Sequence, residues 1–173
     1  MRPVLFPLLL LGCGLLRFTV EEDATTTVEG GGVVGEVLGV LDLGGLDDLD
    51  VTIEQEMADQ GVEPGDLEAV TVDVLTLAAD PDLHFLTSID VYARADGFDE
   101  VLVASGREFP AGEGKVELET TGVNLADAVV AGGMTFRVDA AGDPPAEDTD
   151  IDVHVEVTVE ATAQGACNRA KAG

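Results

Sequence analysis

The chain has 173 residues, 46% of them hydrophobic, and 35 acidic side chains against 8 basic ones give a formal charge of −27. That length suits one domain with a sizeable core, and that apolar share argues against disorder despite the charge. So acidic a surface repels nucleic acid and anionic headgroups, which excludes both as partners of the folded domain.

A single basic residue, Arg2, precedes an apolar run at 4–11, and the small residue Gly12 then precedes Cys13. A positive start, a short apolar stretch and a small residue at the cut make a secretory signal. The run is too short to span a bilayer, which needs about 20 apolar residues. Leu10-Leu11-Gly12-Cys13 resembles the lipobox of bacterial lipoproteins. The resemblance implies cleavage after residue 12, acylation of Cys13 and a mature domain over 13–173. It also implies attachment to the cell envelope, with Gly14 in place of a retention Asp favouring the outer membrane. Two or three acyl chains hold a protein on a bilayer where one binds marginally. Pro7 inside the run and the lone basic residue keep two alternatives open. One is an ordinary cleaved signal, the other a buried strand with an incidental Cys. Cys167 lies in a short polar tail. It is free or bridges another chain if Cys13 is acylated, and can pair with Cys13 if not.

Residues 17–28 read as a strand, with Phe18 and Val20 alternating with Thr19 and Glu21 and a point of interruption at Glu22-Asp23. Glu29-Gly30-Gly31-Gly32 breaks it. Val33, Val34, Val37, Leu38 and Leu41 recur at helical spacing and predict a short helix. Gly35 and Gly39 weaken it by about 1 kcal/mol each. Residues 42–49 read as a loop. Val51, Ile53 and Met57 share strand parity, which predicts a strand over 50–57, a one-turn helix being the alternative. Pro64-Gly65 turns the chain.

Residues 67–77 predict a strand whose apolar parity switches from Val70, Val72 and Val74 to Leu75 and Leu77, the mark of a bulge or of burial on both faces. After the turn Asp80-Pro81-Asp82, Phe85, Thr87, Ile89 and Val91 form the inner face of the next strand. Short strands follow at 101–104 and 115–120, the latter with Val116 and Leu118 inward. Asn124 caps a single helical turn over 125–130 that ends at Gly132-Gly133. Met134, Phe136, Val138 and Ala140 alternate with polar residues. The last strand is the cleanest: Ile151, Val153, Val155, Val157, Val159 and Ala161 alternate with six polar residues. Strict alternation puts one face in the core and one in water, as in an antiparallel sheet.

Seven or eight short strands with turn signals between them predict an all-β protein, an antiparallel β-sandwich or barrel with one or two short helices. The overall order resembles lipoproteins of marine and soil bacteria, the myxobacterial and related groups. The likeness rests on the lipobox, Thr27-Val28-Glu29-Gly30-Gly31, Asp59-Gln60-Gly61-Val62, Asp96-Gly97, Ala104-Ser105-Gly106 and the 164–168 segment. It implies a β-sandwich body and an envelope location, and brings no activity with it.

Motifs of catalysis are scarce. Ser88 and Ser105 lie in no Gly-x-Ser-x-Gly elbow, and no Cys/His spacing suits zinc. His84 and His154 read as surface residues. Carboxylates are the only abundant reactive groups, and hard oxygens suit calcium. Asp143, Glu147, Asp148, Asp150 and Asp152 form a candidate calcium loop, with Asp80-Pro81-Asp82 a second acidic turn. The expectation is a lipid-anchored, non-catalytic module that binds a protein or glycan or serves a structural role. Two alternatives are a calcium-dependent adhesion module and an extracellular polymer hydrolase using paired carboxylates.

Overall fold

The computed structural model describes residues 16–31, 40–41, 49–132 and 134–162. Cys13, Cys167 and most of the helix expected over 33–41 lie outside them. Among the described residues nine strands form two antiparallel sheets over one core. The strands are β1 (Leu16–Val28), β2 (Val40–Leu41), β3 (Leu67–Ala79), β4 (Leu86–Ala95), β5 (Phe98–Gly106), β6 (Lys115–Glu117), β7 (Glu119–Thr120), β8 (Thr135–Gly142) and β9 (Thr149–Ala161). The described residues also hold two helices, α1 (Leu49–Asp59) and α2 (Ala126–Ala131), and a short 3-10 turn at Pro64–Asp66. One sheet runs β1-β9-β3-β6, the other β2-β8-β4-β5-β7. The expected β-sandwich is present.

The cleanest strand of the sequence occupies the middle of its sheet. β9 pairs with β1 over its whole length on one side and with β3 on the other. Ile151, Val153, Val155, Val157 and Val159 are at most 1% exposed. Burying each contributes about 1.5–3 kcal/mol. The parity switch in β3 is a bulge: the register with β9 slips between Val72 and Val74. Val70 and Val72 are buried before it, Leu75 and Leu77 after it. A bulge adds one residue to one strand, so the apolar set changes parity without leaving the core. β1 runs unbroken through Glu22-Asp23, because every one of its residues has a partner on β9.

Four expectations are corrected. The segment expected as a strand over 50–57 is the three-turn helix α1. Ile53 and Met57, four residues apart, are both buried, and that spacing fits a helix face as well as a strand face. Val40 and Leu41, placed at the end of a helix, instead pair with Asp139 and Val138 of β8. Thr87 is exposed and Leu86 buried, because β4 slips register against β8 between Leu86 and Ser88. The single strand expected over 115–120 is two strands. β6 pairs with β3 of one sheet, β7 with β5 of the other. Leu118, 3% exposed, is the residue between them, and its N–H donates to the Leu75 carbonyl at 2.8 Å.

Asn124, expected as the cap, lies one residue before the N-cap Leu125 of α2 and acts as a bridge instead. Its Oδ1 accepts from the N–H groups of Ala126 (2.9 Å) and Val70 (3.1 Å), and its Nδ2 donates to the Glu68 carbonyl at 3.0 Å. One amide thus ties the start of α2 to β3.

The registers give the sandwich two distinct ends. Leu16, the first residue of β1, pairs with Ala161, the last of β9, and Leu67 of β3 pairs with the same residue. At the other end Val28 pairs with Thr149, and Ala79 with Ile151. The loops at 80–85 and 143–148 therefore share the end away from Leu16.

Candidate functional site

Those two loops enclose a cleft of about 430 Å3. The volume falls in the range of small-ligand sites. Phe85, Pro81, Pro144, Pro145 and Ala146 supply its apolar surface. Asp80, Asp143, Glu147 and Asp148 supply an exposed acidic rim. Among the described residues that line it there is no Lys or Arg.

Backbone contacts hold the walls. The Asp143 N–H donates to the Phe85 carbonyl at 2.9 Å, and the Gly31 N–H to the Pro145 carbonyl at 3.0 Å. Gly30 and Gly142 are required by close approach. A Cβ on Gly30 would land on the backbone of Glu147, and one on Gly142 on the carbonyl of Phe85.

Asp82 fixes the inner edge. Its Oδ1 accepts from the backbone N–H of His84 (3.2 Å) and from the His84 imidazole, and its Oδ2 accepts from the Gly112 N–H at 2.7 Å. The bond to His84, then that to Gly112, holds the carboxyl of Asp82 below its ordinary range. His84 reads as a surface residue in the sequence, and its side chain is 61% exposed. What the sequence left unseen is its partner, two residues back on the same turn.

The acidic loop splits between roles. Asp143, Glu147 and Asp148 line the cleft, whereas Asp150 and Asp152 line a neighbouring depression on the other side of Asp80 and Asp148. Three of the five carboxylates bind β1 or the glycine run that follows it. Asp148 accepts from the Gly30 N–H (2.8 Å), Asp150 from the Thr27 hydroxyl (2.6 Å) and Asp152 from the Thr25 hydroxyl (2.8 Å). Among the described residues no three His, Cys, Asp or Glu converge as metal ligands. The second acidic turn, Asp80-Pro81-Asp82, joins the first loop across the cleft, a juxtaposition created by the topology.

His154 lies elsewhere, on the outer face of the β1–β9–β3 sheet. Its Nδ1 meets Asp23 of β1 at 2.8 Å and its Nε2 meets Glu156 of its own strand at 3.4 Å. Thr76 of β3, Lys115 of β6 and Asp152 share the same shallow groove. The hydrogen bond that the imidazole donates to Asp23 raises it above its ordinary pKa, against a smaller opposing effect of burial. A His raised on folding stabilises fully below its unfolded pKa of about 6.5 and loses that stabilisation as pH rises through the folded value. The pair is partly solvated, so the effect is at most about 1 kcal/mol, or about 3 °C in a domain of this size. Thermal melts of wild type and His154→Gln are expected to differ most at pH 6 and to converge by pH 9. A constant difference across that range would contradict the assignment.

On the other sheet, Arg137 lies over the Tyr92 ring at 4.5 Å from its centroid, paired with Glu100 and Asp139. Arg107 pairs with Asp90 (2.6 Å), and Arg17 with Asp73 and Glu160. These cations compensate acid on the strand faces and leave the cleft rim alone.

Among the described residues no helix is long and apolar enough to cross a membrane. No family model matches the chain, and the search of curated proteins finds no match to it.

Proposed function

We propose that this chain is an envelope-anchored lipoprotein whose β-sandwich is a non-catalytic binding or structural module. The observation that carries it is the spacing between the acylation motif and the first strand. Only Gly14 and Leu15 separate Cys13 from Leu16. Three residue steps span at most about 10 Å, so an acylated Cys13 holds the Leu16 end of the sandwich at the bilayer. β1 then climbs thirteen residues, about 40 Å, to the end that bears the cleft. The anchor thereby presents the cleft away from the lipid, the orientation a binding module needs. The acid surface supports the same arrangement, because it repels anionic headgroups and leaves the acyl chains as the attachment.

Replacing Cys13 with Ser tests the anchor. In a bacterial host the wild-type chain is expected in the membrane fraction and to incorporate labelled palmitate. Cys13→Ser is expected to lose both, with nearly all the protein in the soluble fraction. Mass spectrometry of the wild type showing an unmodified residue 1 or a free Cys13 thiol would end the proposal.

A further inference from the structure

We infer that the cleft between the 80–85 and 143–148 loops binds a small aliphatic amine, a cation carried on a hydrocarbon body. This deepens the binding-module reading above and rests on it.

Three observations converge on that ligand class. The cleft walls are braced: backbone bonds from Asp143 to Phe85 and from Gly31 to Pro145, with the Asp82 carboxylate between His84 and Gly112, hold them. Preorganised walls lower the ordering cost of binding. Its larger, apolar part comes from Phe85 and the three prolines and suits a methylene chain. Its rim is negative, and among the described residues no Lys or Arg faces it. The side chains of Asp80, Asp143 and Glu147 have no hydrogen-bond or ion-pair partner among the described residues.

The contrast with the rest of the surface matters, because acid is everywhere on this chain. On the strand faces Arg17, Arg107 and Arg137 are paired with carboxylates. Among the described residues at the cleft the only basic side chain is His84, and it is committed to Asp82. A hard metal ion would need convergent oxygens, and no such group of three exists among the described residues. An ammonium needs only one or two carboxylates, and the floor accommodates the chain behind it. The 430 Å3 space admits a diamine of about five carbons with room for water.

The test is isothermal titration of the full chain at low salt with cadaverine, with pentanediol and calcium chloride as separate arms. The expected result is saturable one-site binding of cadaverine, with no heat from pentanediol. Asp80→Asn with Glu147→Gln is expected to weaken it at least about tenfold, the loss of charge-assisted contacts. Both residues are exposed, so the fold survives, and circular dichroism melts verify it. Glu21→Gln with Glu117→Gln, two exposed acids on the strand faces, is expected to leave the affinity unchanged. Equal weakening by both pairs would show diffuse attraction to an acidic surface and overturn the site. So would pentanediol binding as well as the diamine, or calcium saturating the cleft and displacing cadaverine. Repeating the titration on Cys13→Ser separates the two proposals: a failed anchor leaves amine binding intact, and a failed amine site leaves the membrane fractionation intact.

Discussion

Leu118→Ala is expected to lower the melting temperature by about 10 °C, corresponding to about 3 kcal/mol in a domain of this size. Leu118 sits at the one residue between β6 and β7, where the chain leaves the sheet of β1, β9 and β3 and joins that of β4 and β5. Its side chain is 3% exposed, and its N–H is bonded to Leu75 of the first sheet. Truncation removes buried methyl groups and leaves a hole at a place where backbone from both sheets fixes the walls. Such a site collapses poorly, so the cavity cost adds to the transfer cost. Val116→Ala, two residues earlier and half-buried, is expected to cost less than half as much. Chemical denaturation of both variants with the midpoint and slope compared checks this. Equal losses at the two positions would show that the crossover is not a special point of the core.

Gly142→Ala is expected to cost about 3 kcal/mol or more, although it adds a single methyl group. Gly142 pairs with Leu86 at the end of β8, where β4 slips its register. The added Cβ would strike the Phe85 carbonyl, a backbone atom that cannot rotate away. A glycine in a strand at such an approach marks contact with another backbone. The same carbonyl accepts from the Asp143 N–H, so moving it opens the cleft wall. The variant is therefore expected to lose amine binding as well as stability. Gly65→Ala is the control. Nothing lies within 4 Å of the Cβ it would gain. Stiffening the unfolded chain there is expected to stabilise by about 0.4–1 kcal/mol. Thermal melts of the two variants should thus move in opposite directions. A Gly142→Ala protein as stable as wild type would mean that the loop can shift freely, and the cleft would no longer count as braced.

How much of this was legible in the residues depended on whether one periodicity excluded another. β9 could be read at once, because eleven consecutive residues at 151–161 alternate and only a strand does that. The bulge in β3 left its trace in the switch from Val72 to Leu75. α1 was illegible for an arithmetical reason. Ile53 and Met57 are four apart, a spacing that satisfies both the strand and the helix period, and the residues that would decide, Glu54, Gln55, Glu56 and Ala58, decide only through propensity for helix. The division of 115–120 between two sheets depends on which strands flank it, and no local pattern encodes that.

For the cleft the limit was different. Both acidic loops stood out as loops, at 80–82 and 142–150. Their convergence follows from β3 and β8 ending at the same edge of the sandwich, a property of the topology. The Asp82–His84 pair, in contrast, lies within three residues of chain. An Asp two residues before a His at a turn was a readable sign of a side-chain clasp.

The pairing of β1 with β9 has a mechanical consequence. Thirteen residue pairs join them, and β1 is the outermost strand of its sheet. If the load enters at Leu16 and leaves at the cleft, the pull runs along the strand axis. The ladder is then strained in shear, all its rungs together, and cannot be unzipped one rung at a time. A tug on the far rim would be resisted by the whole length of that seam.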